Sequence, residues 1–148
     1  MTRIKVGILG CTGIVGQQFV RMVEGHPYFE AALLAASARS AHRSFSKSKV
    51  WSLGGEVPES VRDLTIIEAG LAGLVESGVN VFFNALPTSL ADPLENALRE
   101  GGHFVFSNAS AHRTDYDLPV LDAFAGTPER ARGIAVSVGR PRFQGRGP

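Results

Sequence analysis

Three glycines at a spacing of three, Gly10, Gly13 and Gly16, stand inside the stretch "VGILGCTGIVGQQFV". The chemistry this spacing serves is the holding of a phosphate. A glycine directly after a strand permits a tight turn. A second lets an anion approach backbone that a Cβ would cover, and a third lets the following helix pack closely on the strand. The first turn of such a helix presents N–H groups without intrahelical partners and the positive end of the helix dipole. The competing reading is a plain strand-to-helix turn with spare glycines. The change from an apolar run to a helical period at this point favours the phosphate.

The next chemical signal lies at the end of the second apolar run. A dinucleotide fold that selects NAD usually carries Asp or Glu there, about 20 residues after the turn, to hold the ribose 2′-hydroxyl. This chain reads "AASARSAHR" and offers Ser37, Arg39, Ser40 and Arg43 with no acid. Hydroxyl donors and a guanidinium suit a 2′-phosphate, which arginine can grip bidentately. The expected cofactor is therefore NADP rather than NAD, the alternative being a solvated polar loop. Cys11, the one cysteine, sits within the turn. A helix N-terminus lowers a thiol's pKa, but a bound diphosphate would cover and repel a thiolate. Cys11 is read as a small filler of the turn.

These residues need a scaffold. "IKVGIL" (Ile4–Leu9) is a continuous apolar run, as in a strand buried on both faces. From Ile14 the period becomes helical, and "GHP" stops the helix. "EAALLAA", "LTIIEA", "VNVFFNAL" and "HFVFS" read as four further strands, with "LAGLVES" a weak helix. In "DPLENALREGG", Asp92, Pro93 and Glu95 suggest an N-cap, first helical position and capping-box partner. The alternation predicts an α/β domain of Rossmann-like, doubly wound type, with a mostly parallel sheet and helices on both faces. Residues 37–56 show no clear period, and part of that stretch is expected to be helical or functional.

Composition narrows the classes. At 148 residues the chain is one domain by length, with a net charge of +1. One cysteine excludes an internal disulfide and a cysteine-based metal cluster, and no metal site is expected. This agrees with a reducing, cytoplasmic setting. No apolar run approaches membrane-spanning length, and the N-terminus has no signal-peptide layout. Residues 1–125 are expected to form the dinucleotide-binding domain. Residues 126–148 carry Arg130, Arg132, Arg140, Arg142 and Arg146 against Glu129, and read as a divergent basic tail. That tail holds one possible strand, Ile134–Val138, before a disordered end.

With these stretches in hand, the chain resembles the archaeal and fungal type of aspartate-β-semialdehyde dehydrogenase. The pieces are "KVGILGCTGIVGQQF", "HPYFEAALLAASARSA", "VPESVRDL", "VNVFFNALPTSLAD" and "FSNASAHRTDYDLPVL", in family order over roughly residues 3–121. The resemblance implies NADPH-dependent formation of aspartate semialdehyde from β-aspartyl phosphate, in amino-acid biosynthesis. It implies that Gly10, Thr12, Gly13, Ile14 and Val15 line the pyrophosphate and that Ser37 and Arg39 hold the 2′-phosphate. Ala85, Leu86 and Pro87 would border the ribose and nicotinamide. Asn108 would sit beside cofactor and substrate, and Arg113 matches the arginine that grips the acyl phosphate. His112 reads more simply as a loop histidine.

The likeness stops after Leu121, where "DAFAGTPERARG" replaces the family's continuation. The family's cysteine nucleophile, its acid/base histidine and a further arginine belong to a second domain that also forms the dimer interface. Three functions are therefore weighed. The first is an NADP-binding module, truncated and not competent alone for the family reaction. The second is a repurposed small-molecule enzyme, an isomerase, cyclase or lyase without redox chemistry. It would use the polar cluster Asn108, His112 and Arg113 with Asp115 and Tyr116. The third is a non-catalytic interaction protein acting through the basic tail. No aromatic interleaving beyond Phe143 supports nucleic-acid binding, and no membrane partner is expected. Apolar surface left open by the absent domain leads us to expect a homo-oligomer.

Overall fold

The run "IKVGIL" forms strand β1 (Ile4–Leu9), and Val6, Ile8 and Leu9 along it are fully buried. In a computed structural model, which describes residues 2–108 and the short strands 120–122 and 135–139, β1 lies inside a seven-stranded sheet. Helix α1 (Ile14–Val23) follows the glycine turn, and strand β2 (Phe29–Ala36) pairs parallel to β1. Strand β3 (Ile66–Glu68) pairs parallel to β2 on the far side. The chain then crosses through helix α2 (Leu71–Glu76) to β4 (Val81–Asn84), which pairs parallel to β1. Helix α3 (Thr88–Glu100) leads to β5 (Phe104–Ser107), parallel to β4.

Strands β6 (Val120–Asp122) and β7 (Ala135–Gly139) extend the sheet antiparallel, giving the order β3-β2-β1-β4-β5-β7-β6. The sheet thus continues past residue 125, and β7 overlaps the run Ile134–Val138. Five parallel strands with crossover helices make this a Rossmann-like domain.

The two faces divide with strand alternation. Leu9, Leu33, Ala35, Phe82 and Val105 face α2 and α3, where Leu74, Ala91, Leu94 and Leu98 complete one core. Ile8, Leu34, Ala36 and Ile66 point the other way, to Val20 of α1 and to Phe45 and Val61. Each fully buried Leu, Ile or Phe contributes about 1.5–3 kcal/mol by leaving water. No helix among the described residues is long and apolar enough to cross a membrane.

Two sequence expectations are corrected. Helix α3 starts at Thr88, not at Asp92, and Pro93 lies within it. The carbonyl of Pro87 accepts from the N–H groups of Leu90 and Ala91, both at 2.9 Å. Ala91 is fully buried in the core, and that packing draws the helix a turn further back than its start signal. Pro93 removes one helical N–H but sits on the exposed side. Glu95 is no capping partner; it is buried, with 2% exposure.

The stretch 37–56 contains a short 3-10 turn, Ser46–Ser48, and an antiparallel bridge between Ser44 and Thr65. Its later part is also held by bonds from α1. Gln17 Nε2 donates to the carbonyls of Thr12 (2.9 Å) and Val50 (2.8 Å), while its Oε1 accepts from the Ser52 N–H at 2.8 Å. Arg21 donates to the carbonyls of Leu53 and Gly54 and lies over the Trp51 ring at 5.5 Å.

Gly16 fixes how close α1 comes to β1. A Cβ there would stand 2.0 Å from the Gly10 carbonyl oxygen and 2.8 Å from Cys11 Cα, whereas one at Gly13 would meet nothing nearer than 3.6 Å. Gly16→Ala should therefore cost about 2–3 kcal/mol in urea unfolding, and Gly13→Ala less than about 1 kcal/mol. Equal costs would refute this account of the packing.

Candidate functional site

The site begins where β1 ends. Gly10 has φ +78°, a conformation that side-chain-bearing residues resist. A Cβ on it would also lie 2.7 Å from the Ala85 carbonyl oxygen, so the turn is pressed against the end of β4. The Gly10 and Cys11 N–H groups donate to the Ala35 carbonyl of β2, at 2.8 and 3.2 Å. Gly13 occupies the N-cap of α1, and no side chain caps that end. The first N–H groups of the helix therefore have no intrahelical acceptor. The side of Gly13 where a Cβ would project is nearly open.

In front of this turn is a cavity of about 470 Å³ across the carboxyl ends of β1, β2, β3 and β4. Gly10, Thr12, Gly13, Ser37, Ala85, Leu86 and Pro87 line it, together with Ala36, Ala38, Glu68, Ala69 and Leu90. Ile14 and Val15 open the helix beside it without being part of its wall; Ile14 is 67% exposed. Arg39 and Ser40 are also off the wall, in the turn after β2, where the Ser40 N–H donates to the Ser37 carbonyl at 2.9 Å. Arg39 is exposed and follows Ala38 of the wall in sequence. Asn108 follows β5 at the same edge of the sheet, its N–H donating to the Asn84 carbonyl at 2.9 Å. His112, Arg113, Asp115 and Tyr116 lie outside the described residues.

Three supporting side chains escaped the sequence reading. Gln17, 1% exposed, ties the phosphate turn at Thr12 to the loop at Val50 and Ser52. Asn84, fully buried, accepts from the Leu86 N–H at 2.9 Å and donates to Glu95 Oε1 at 2.5 Å. The loop Ala85–Pro87 is thereby anchored to α3. Each of these is a polar residue at a position where the apolar pattern of its element asks for a hydrophobe, and that break is the usable signal. The third, Glu68, is the one ionisable side chain among the cavity-lining residues.

Cys11 is fully buried. Burial pushes its thiol up to about 12, so it stays protonated at neutral pH. Among the described residues no group of His, Cys, Asp and Glu could hold a metal ion.

Comparison with known proteins places the domain in a family. Residues 5–132 match the family model "Semialdehyde dehydrogenase, NAD binding domain". The chain is 42% identical over 118 residues to the aspartate-semialdehyde dehydrogenase of Methanothermobacter thermautotrophicus, covering 80% of this chain and 33% of that protein. It is 32% identical over 118 residues to the malonyl CoA reductase (NADP) of Metallosphaera sedula, again over 80% of this chain and 32% of that protein. The crystal structure of Candida albicans aspartate semialdehyde dehydrogenase with NADP superposes with a TM-score of 0.70 at 33% identity, over 77% of this chain and 32% of that one. The chain thus spans about a third of the length of the relatives it matches, as their amino-terminal nucleotide domain. It belongs to the semialdehyde dehydrogenase family, of which it carries the NAD-binding domain.

Proposed function

We propose that this domain binds NADP in preference to NAD and presents its nicotinamide at the carboxyl ends of β4 and β5. The observation that carries the reading is the single cavity joining the glycine turn to Ser37 and to the loop Ala85–Pro87. The diphosphate would rest on the N–H groups of Thr12, Ile14 and Val15, at a helix start that no side chain caps; the Gly13 N–H donates to the Gly10 carbonyl at 3.1 Å. Ser37, Ser40 and the exposed Arg39 would take the 2′-phosphate. Ala85, Leu86 and Pro87 would border the nicotinamide ribose, held in place by Asn84. When bound, the cofactor supplies hydride transfer; these residues position it and exclude water from its apolar flank. A solved relative that contains NADP and a relative named for NADP support the choice of cofactor.

The relatives named for aspartate semialdehyde and for malonyl CoA match this domain over the same length. That supports a shared cofactor role more than a shared substrate. Reduction of an activated acyl group to an aldehyde is the activity we assign to the whole protein. Thioester chemistry needs a thiolate, and the sole cysteine of these 148 residues is sealed beneath the turn. The domain by itself therefore holds the cofactor without turning over the substrate.

Isothermal titration should show NADPH binding at least ~10-fold more tightly than NADH. Arg39→Ala should weaken NADPH by about 10-fold and leave NADH nearly unchanged. Equal affinities for both cofactors would contradict the 2′-phosphate assignment.

A second test reads Cys11. Its thiol is raised in the folded state, so folding favours the protonated form. Below the unfolded value of about 8.5 that preference is fully present. Between there and about 12 the unfolded chain loses the proton and the folded chain keeps it. Stability should then fall by about 1.4 kcal/mol per pH unit more steeply in wild type than in Cys11→Ala, as read from urea midpoints. Parallel slopes, or fast reaction of native Cys11 with a thiol reagent at pH 7, would show an accessible thiol instead.

A further inference from the structure

Glu68 has no role in the reading so far. It ends β3, and its register partner on β2 is Ala36, the residue before Ser37. The Ala69 N–H donates to the Ala36 carbonyl at 2.8 Å, and the Gly70 N–H to the Glu68 carbonyl at 2.8 Å, so the backbone that carries this acid is fixed to the end of β2. The same cavity is lined by Ala36, Ala38, Ala69 and Leu90, with the Ser37 hydroxyl beside them. Among the described lining residues Glu68 is the carboxylate. Glu68 also borders a shallow groove lined by Leu71 and Gly73.

The order of groups across the sheet matches the order of groups in a dinucleotide. The diphosphate turn is at β1, the 2′-phosphate loop is at β2, and Glu68 is at β3. Neighbouring strands are about 4.8 Å apart, so Glu68 stands roughly 10 Å from the turn. A purine lies one ribose beyond its diphosphate, a comparable reach. Its faces are apolar and its exocyclic amine is a donor. An ionised glutamate only accepts hydrogen bonds.

Resting on the NADP reading above, we propose that Glu68 is a specificity residue that recognises the 6-amino group of adenine. A carboxyl oxygen accepts from that amine, while Ala36, Ala38, Ala69 and Leu90 flank the ring. A 6-oxo purine would set acceptor against acceptor at the same place, and the site would reject it.

The test is a titration of the chain with NADPH and with its deamino analogue, nicotinamide hypoxanthine dinucleotide phosphate. Wild type should prefer the adenine form by about 10-fold, as expected for a site built around one hydrogen bond. Glu68→Ala should bring the two affinities within about twofold. Glu68→Gln should do the same, since its amide can accept from an amine or donate to a 6-oxo group. A wild-type ratio near one, or a ratio unchanged in Glu68→Ala, overturns the assignment while the cofactor reading stands. If Glu68→Ala tightens NADPH with the ratio unchanged, the acid faces the 2′-phosphate and the assignment is again overturned. Failure of folded wild type to bind either dinucleotide overturns both.

Discussion

The first turn of α1 rests directly on the end of β1, backbone against backbone, and the rest of the site depends on that contact. Only residues without a Cβ allow it at Gly10 and Gly16. The approach leaves a helix start that no side chain caps beside the cavity at the strand termini. One turn further on, Gln17 uses the same closeness to reach Thr12 and the loop at Val50 and Ser52. On the opposite side the turn abuts Ala85, whose neighbour Asn84 is bonded to Glu95. The glycine turn, the loop at Val50–Ser52 and the loop Ala85–Pro87 are therefore joined in one unit.

That unit was legible in part from the amino-acid order. β1 and α1 stood out because a two-face-buried strand and an amphipathic helix have different periods, and the glycines mark where one becomes the other. The start of α3 did not. Asp92 and Pro93 carry a strong local start signal, yet burial of Ala91 against the sheet outweighs it. The stretch 37–56 was opaque because its order comes from distant partners: backbone bonds of residues 42–46 to residues 62–66, and side-chain bonds from Gln17 and Arg21. Glu68 was invisible for a related reason. A dinucleotide fold's acid is expected at the end of β2, and only strand pairing makes Ala36 and Glu68 neighbours.

The cavity separates two kinds of task. Most of its wall is alanine, leucine, proline and glycine, which shape the space. The polar contributions come from backbone N–H groups and from a few side chains at the rim, namely Thr12, Ser37 and Glu68. Such a wall can hold and orient a nucleotide, and beneath the turn Cys11 is buried and protonated. This fits the NAD-binding domain of the family, about a third of the length of the relatives it matches.

The most direct measurement is an amide chemical-shift titration of the chain with NADPH. Cradling of the diphosphate by the helix start predicts the largest shifts at Thr12, Gly13, Ile14 and Val15, followed by Ser37. The amides of α2, on the far side of the sheet from α1, should stay unmoved. Saturable binding that leaves the Thr12–Val15 amides unshifted would contradict it.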